Sequence, residues 1–367
     1  MTFEEVRAEF PVLERLAYLN TGSVGPLARR TAAAMAARLA AELEEGRGGI
    51  AQFLDVTELR GRLRAALAAL IHVPVENVAI TSSTTEGCNI VLGGLDLGPD
   101  DEVVTTDVEH CGLAGPLGVA EARVRVARVR DRPAEEAFDL IKAEVGPKTR
   151  LLALSHVAWT TGHVLPIREL KEATGLPIVV DGAQSVGALA VRAGDFDFYT
   201  VSGQKWLCGP DATGALYVAD PEALRISKPS YFAQDGFEPD GSFTVRAGAA
   251  RFDPGWIPPA SLVGLEAALG GLPEWRFERA AEMAKHARAR LAERVDVVTE
   301  PGHAGLISWR HEGDASEAAA RAWKQGVVIR DLPGLNWLRA SVGYWTSDED
   351  VERLVGVLDG HAAADDS

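Results

Sequence analysis

Apolar positions along this chain follow two different rhythms, and the switch between them outlines its organisation. Residues 27–45 are rich in Ala, Arg and Glu with apolar positions at helical spacing, and Gly46, Gly48 and Gly49 close the segment, which predicts a helix. A second helix is predicted from about Thr57 to Ile71, where Leu59, Leu63, Leu67 and Leu70 share one stripe. From Val78 onward short β-rich runs take over, at 78–81, 102–106, 123–129, 150–154, 177–181, 198–202 and 214–218. Helical stretches at 85–93, 134–145 and 167–174 separate several of them. Strand–helix alternation of this kind predicts an α/β chain built on a mainly parallel sheet with helices on both faces.

Beyond about Ala260 the texture changes. Helices at 260–269 and 274–294 precede β-rich runs at 295–299 and 304–310, then a helix at 315–325. Runs at 327–330 and 338–342 follow, and a last helix is expected at 347–358. This reads as a smaller α+β module of the size of a second domain. The small, polar, acidic tail at 361–367 is expected to be flexible.

Composition narrows the class of protein. With 367 residues, 47% hydrophobic and 25% charged, the chain has material for a sizeable core. A net charge of −16 argues against a nucleic-acid partner, which draws on excess Lys and Arg. The alternation of Arg123, Arg125 and Arg128 with Val124, Val126 and Val129 reads instead as an edge or half-buried strand with charged outward positions. Three cysteines, Cys88, Cys111 and Cys208, form no CxxC pair and suit a reducing compartment. No secretory leader or membrane span is legible, no metal-ligand cluster stands out, and a cytoplasmic protein is expected.

Four segments at predicted strand ends carry candidate chemistry, since open α/β sheets place ligands there. Thr81-Ser-Ser-Thr-Thr-Glu-Gly87 ends a strand and opens a helix, offering hydroxyls and free N–H groups to a phosphate. Val108-Glu-His-Cys111 puts a His where it can stack on a flat ring or move protons. Val179-Val-Asp-Gly-Ala-Gln-Ser185 places a carboxylate at the end of an apolar strand, suited to a cationic ring nitrogen, a metal or a helix cap. Asp197-Phe-Tyr-Thr-Val-Ser-Gly-Gln-Lys-Trp-Leu-Cys-Gly-Pro210 sets Lys205 in a tight turn, a Schiff-base candidate whose amine is nucleophilic once desolvated.

In this order and spacing the four segments resemble the class V aminotransferase family of pyridoxal-phosphate (PLP) enzymes, which also holds cysteine desulfurases, selenocysteine lyases and cystine C–S lyases. The resemblance runs from Tyr18-Leu-Asn-Thr-Gly22 to Leu338-Arg-Ala-Ser-Val-Gly-Tyr344. It implies the fold type I of PLP-dependent transferases, with a PLP-binding large domain at 15–259 and a small α+β domain from 1–14 and 260–360. It further implies that Lys205 carries the cofactor, Asp181 pairs with the pyridinium nitrogen and Gln184 meets the ring hydroxyl. His110 would stack on the ring as a catalytic neighbour, and Thr84, Thr85 and Ser202 would hold the phosphate. Arg339 would clamp the substrate carboxylate, with Asn20 and Trp159 beside it.

Three positions depart from the family pattern. Gln204 stands where a His often precedes the lysine, and Trp159 replaces an Asn. Arg251-Phe-Asp-Pro-Gly-Trp256 lacks the Thr of the segment that crosses to a partner subunit's phosphate. The cystine C–S lyase branch matches best, around 85–95, 146–166 and 328–350. No cysteine follows Cys208, so the persulfide-forming thiol of desulfurases has no counterpart in the C-terminal half. Cys208 itself reads as a packed strand-end residue. The expected activity is β-elimination on cysteine- or cystine-like amino acids by a homodimer; an aminotransferase, a cysteine desulfurase and an amino-acid epimerase are the alternatives on the same fold.

Overall fold

The structure is a computed structural model that describes residues 1–365, with side chains through Leu358; the tail expected at 361–367 lies outside the described side chains. Seven strands form the central sheet, in the order Val78–Thr81, Gly214–Val218, Phe198–Ser202, Ile178–Asp181, Thr149–Ser155, Glu102–Thr106 and Arg123–Ala127. Gly214–Val218 runs antiparallel to both of its neighbours, and every other pairing is parallel. The arginine-bearing strand Arg123–Ala127 is an edge strand, as its charge pattern implied. Its arginines and those that follow meet acidic partners, including Arg125 with Glu144 and Arg132 with Glu136.

The two-residue period of the strands decides which side chains meet which helices. Val78, Ile80, Val104, Leu152, Leu154, Ile178, Val180, Tyr199 and Val201 point to one face. There they pack on Leu59, Leu63 and Leu67 of helix Ile50–Leu70 and on Leu262 and Leu265 of helix Pro259–Leu269. Ala79, Val103, Leu151, Ala153, Val179 and Phe198 point to the other face, against Cys88 and Val91 of helix Thr84–Gly94 and Leu113 and Leu117 of helix Cys111–Gly118. Continuing the same parity to the strand ends puts Thr81, Ser155, Asp181 and Ser202 on this second face. All the chemistry of those strands therefore emerges beside the N-termini of the Thr84 and Cys111 helices.

A second core forms around the antiparallel sheet Leu306–Arg310, Trp337–Ser341, Arg330–Leu332, covered by helices Arg276–Ala292, Ala315–Lys324 and Asp348–Asp365. The N-terminal helix Phe3–Ala8 contributes Val6 to a separate apolar cluster with Trp345, and Arg7 pairs with Asp350 at 2.6 Å. Ala17–Tyr18 pairs in parallel with Val327–Val328.

Several local expectations are corrected. The helix predicted from Thr57 begins at Ile50, because the Gly48-Gly49 break is followed at once by residues that can propagate it. The expected run 295–299 makes only a single bridge, Val297 with Trp309, and is not a strand. Residues 134–145 shorten to helix Ala137–Ala143 after a 3₁₀ turn that Pro133 precedes. Helix Cys111–Gly118 and the hairpin Gln234–Phe237/Phe243–Val245 were not anticipated, since glycines and Pro116 mask the first and polar residues the second. No helix among the described residues is long and apolar enough to cross a membrane.

Candidate active site

Lys205 lies in a turn after strand Phe198–Ser202, and its backbone carbonyl accepts from Cys208 N–H at 3.0 Å. The opening segment of the chain packs on that turn. Gly25 N–H donates to the Gln204 carbonyl at 2.7 Å, and a Cβ on Gly25 would lie 2.2 Å from the Lys205 carbonyl oxygen, so only glycine fits there. Burial brings the Lys205 ammonium down to about 8, with Arg339 and Arg330 adding to the shift and Asp181 opposing it. These charges therefore lie within electrostatic reach of one another.

Asp181 is buried at the end of its strand. Its Oδ1 accepts from Ala183 N–H at 2.9 Å and from Thr200 Oγ1 at 3.5 Å, and among the described residues no donor meets Oδ2. Gln184 is oriented without ambiguity. Trp206 Nε1–H donates to Gln184 Oε1 at 2.9 Å, so the amide nitrogen faces Gly22, whose carbonyl takes one of its two protons at 2.8 Å. The second amide proton is left for a ligand.

His110 caps helix Cys111–Gly118 through its own side chain, Nδ1 accepting from Gly112 N–H at 3.1 Å. Burial and then the Lys205 charge hold this imidazole below its usual range. Neutral, with Nδ1 engaged, the ring presents a face, and Trp159 stands edge-on to it at 5.2 Å and 88°. Thr84 and Thr85 open their helix behind the Ser83 cap, and a Cβ on Gly112 would lie 2.6 Å from Thr85 Oγ1. The two helix N-termini thus converge, which concentrates free N–H groups and positive potential at one point. Ser202 Oγ donates to Gln204 Oε1 at 2.8 Å, so Gln204 occupies the position beside the cradle that the departure from His left open.

On the opposite wall Arg339 is 1% exposed, and only Nη1 is satisfied, by the Trp159 carbonyl at 2.8 Å; Nε and Nη2 have no acceptor. A buried guanidinium left this way demands an anion. Burial and then Arg330 push its pKa down to about 9. Arg330 is its direct cross-strand partner, an opposition of like charges that strands otherwise avoid. Gly22 makes room for Arg339: a Cβ there would lie 2.6 Å from Nη2. Asn20 bridges to Ser341, next to Arg339, and its Oδ1 accepts from Ser23 Oγ, which in turn accepts from Arg330 Nη1 at 3.2 Å.

Hydrogen bonds, ring contacts and strand register thus link Asn20, Trp159, His110 and Arg339, tie Gln184 to the Gly22 segment, and set Thr85 against the start of the His110 helix. The sequence reading missed Arg330, Gly22, Gly25, Trp206 and Glu109. A second Arg nine positions before Arg339, on an adjacent β-rich run, was a usable signal for the first of these. Cys208 is buried, and burial pushes its thiol far up; Cys111 is exposed, with its sulfur 3.7 and 3.8 Å from the two His110 ring nitrogens.

A sheet of this topology with a desolvated lysine, a strand-end carboxylate and two convergent helix N-termini defines a cofactor-dependent enzyme of the type I PLP class. The aminotransferase class-V family matches residues 18–354, and the chain belongs to that family of PLP enzymes. Among curated relatives, isopenicillin N epimerase from Streptomyces clavuligerus is 30% identical, covering 97% of this chain and 98% of that enzyme. A cysteine desulfurase from Serratia proteamaculans (strain 568) is 28% identical over 97% of each chain. Among solved structures, the cystine C–S lyase C-DES in complex with its reaction product cysteine persulfide superposes with a TM-score of 0.88, at 27% identity over 95% of this chain and 98% of that one. A C-DES variant with glycine covalently linked to the PLP cofactor gives 0.89, at 27% identity over 96% and 98%.

Proposed function

We propose that this protein is a PLP-dependent C–S lyase that acts by β-elimination on cystine-like amino acids. The observation that carries the reading is the Arg330–Arg339 pair. Two guanidiniums are cross-strand partners without a carboxylate partner among the described residues, within electrostatic reach of Lys205. One anion satisfies Arg339; a substrate with a second carboxylate, as cystine has, also answers Arg330.

The residues fit the cofactor. Lys205 has an amine close to neutrality, Asp181 an uncommitted carboxylate oxygen, Gln184 a spare amide proton and His110 an open ring face. Thr84, Thr85 and Ser202 would hold the phosphate, with Gln204 taking the place of the departed His. Bound there, PLP supplies an electron sink for a carbanion at the substrate α-carbon.

Each side chain then has a defined task. Arg339 would hold the α-carboxylate in a bidentate fork, with its Nη1 tied back to Trp159 so that the fork keeps one orientation. Lys205, once displaced from the cofactor, would take the α-proton; an amine near 8 gives it up again without trapping it. Asp181 would keep the ring nitrogen cationic. Trp159, standing edge-on to His110 and bonded to both Arg339 and the Glu109 carbonyl, closes the wall between the ring and carboxylate positions. The sulfur leaving group needs no thiol acceptor: the Cβ–S bond of cystine would break so that its other half leaves as cysteine persulfide, a weaker base than the sulfide that cysteine would release, and the remaining three-carbon fragment would take up water to give pyruvate and ammonia.

Product analysis tests this reading. Cystine is expected to yield pyruvate with no added keto acid, and Cys111→Ala to retain most of that activity. Alanine in place of pyruvate indicates desulfuration. A requirement for a keto acid indicates transamination. Inversion at the α-carbon without cleavage indicates an epimerase, the activity named for the Streptomyces relative.

The partner subunit belongs to the same proposal. Tyr231, Phe232, Trp256 and Phe53 form one aromatic cluster, and Leu43, Ile50, Phe237 and Trp256 are exposed at 85%, 74%, 67% and 60%. An apolar surface of this kind is normally covered. A homodimer burying on the order of 2,000 Å² or more is expected, with 246–256 at the interface. Static light scattering at low concentration checks it, and a monomer that retains cofactor and activity would refute it.

A further inference from the structure

Glu109 precedes the ring-facing His110 and has no cation bonded to it. Its Oε1 accepts from Thr106 Oγ at 2.6 Å; its Oε2 accepts from Ser155 N–H at 3.0 Å and Ser155 Oγ at 2.5 Å. Its backbone carbonyl holds the Trp159 indole N–H at 3.1 Å. One residue therefore ties together the ends of strands Glu102–Thr106 and Thr149–Ser155 and the wall of the pocket.

Ser155 is also the register partner of Asp181 on the next strand, and alternation puts both side chains on the same face of the sheet. The groups around Glu109 are the two hydroxyls, Asp181 beyond Ser155, His110 next in the chain, and Cys88 from helix Thr84–Gly94. The Cys88 thiol is raised by burial and further by the charges of both Asp181 and Glu109. Asp181 is buried and Glu109 half-buried. Burial, reinforced by Asp181, lifts Glu109 to about 7 against the pull of its three donors.

We propose that Glu109 and Asp181 work as a carboxylate pair, in which Glu109 sets how firmly Asp181 holds a cationic ring nitrogen. Glu109 touches no reacting atom; it is a positioning residue acting through its charge. The inference rests on the PLP reading above. Removing the Glu109 charge leaves Asp181 as the only anion facing the ring nitrogen, so cationic forms of the lysine-bound cofactor lose stability.

The test compares Glu109→Gln, which removes the charge and keeps the shape, with Glu109→Asp, which keeps the charge and breaks the hydrogen bonds. In the holoenzyme the midpoint of the pH-dependent visible absorbance of the lysine-bound cofactor is expected to move down by about half a unit or more in the Gln variant and to stay near wild type in the Asp variant. KM should change little, since Arg339 is not bonded to Glu109. Equal shifts in both variants, or none in either, would overturn the pairing while leaving the wild-type chromophore intact. A wild-type protein without that chromophore overturns the cofactor reading, and the pairing with it.

A second readout needs no cofactor. Glu109 binds its proton more tightly in the folded chain (about 7) than at the ordinary value of 4.5, so its stabilising contribution is present below 4.5 and is lost as pH rises through 7. In the apoprotein the melting temperature of wild type minus that of Glu109→Gln should therefore fall steadily between those two pH values. A flat difference would show that Glu109 does not titrate there and would sink the proposal.

Discussion

Lys205→Ala is expected to give a folded protein with no lysine-bound chromophore and a loss of roughly 10²–10⁴-fold or more in turnover, since the variant lacks both the cofactor anchor and the base. Borohydride reduction followed by peptide mapping should place the pyridoxyl group on Lys205 alone. Three other lysines are engaged elsewhere: Lys171 is paired with Asp197 at 2.5 Å, Lys148 with Asp100 at 3.6 Å, and Lys142 lies over the Phe138 ring. The pH dependence has a definite sign. Only the neutral amine attacks a carbonyl, and burial brings Lys205 down to about 8. The rate of PLP uptake by the apoprotein should therefore climb as pH rises through about 8 and level off above it. A midpoint near 10.5, the ordinary lysine value, would mean that the pocket does not desolvate this amine.

Arg339→Ala should have the second-largest effect, and of a different kind. Removing the fork is expected to cost about 2–5 kcal/mol of substrate binding, or roughly thirty- to several-thousandfold in kcat/KM. The absorbance of the bound cofactor should be unchanged. Arg339→Lys should recover little, because a point charge cannot reproduce two parallel N–H donors. Stability should move the other way. Arg339 is buried with Nε and Nη2 unsatisfied and Arg330 opposite it, so the melting temperature of Arg339→Ala should equal or exceed that of wild type. A destabilised variant with unaltered KM would show that Arg339 serves the fold rather than the substrate.

Four strands of the sheet were legible to the residue. The runs 78–81, 102–106, 198–202 and 214–218 are strands with those bounds, because short apolar β-branched stretches between helices have few other options. The site residues at their ends were legible for the same reason, since a polar residue closing an apolar strand stands out. Helix Cys111–Gly118 was hidden because Gly112, Gly115 and Pro116 lower its intrinsic propensity; its start is instead stabilised by the His110 cap. The run 295–299 failed as a strand because only Val297 found a partner.

By itself, then, the sequence determined the alternating α/β architecture, the order of lysine, carboxylate, imidazole and hydroxyl cradle along the chain, and the membership that order signals. These are local properties, set by periodicity and by which residue types close a strand. Only the tertiary structure decided what faces what. It brought Arg330 opposite Arg339 across two strands, threaded Gly22 and Gly25 against the arginine and the lysine turn, and bonded Glu109 to the serine that is the register partner of Asp181. Contacts of that sort join residues tens to hundreds of positions apart. They depend on sheet order and register, which no local pattern encodes, and they decide which charges are left for a substrate to answer.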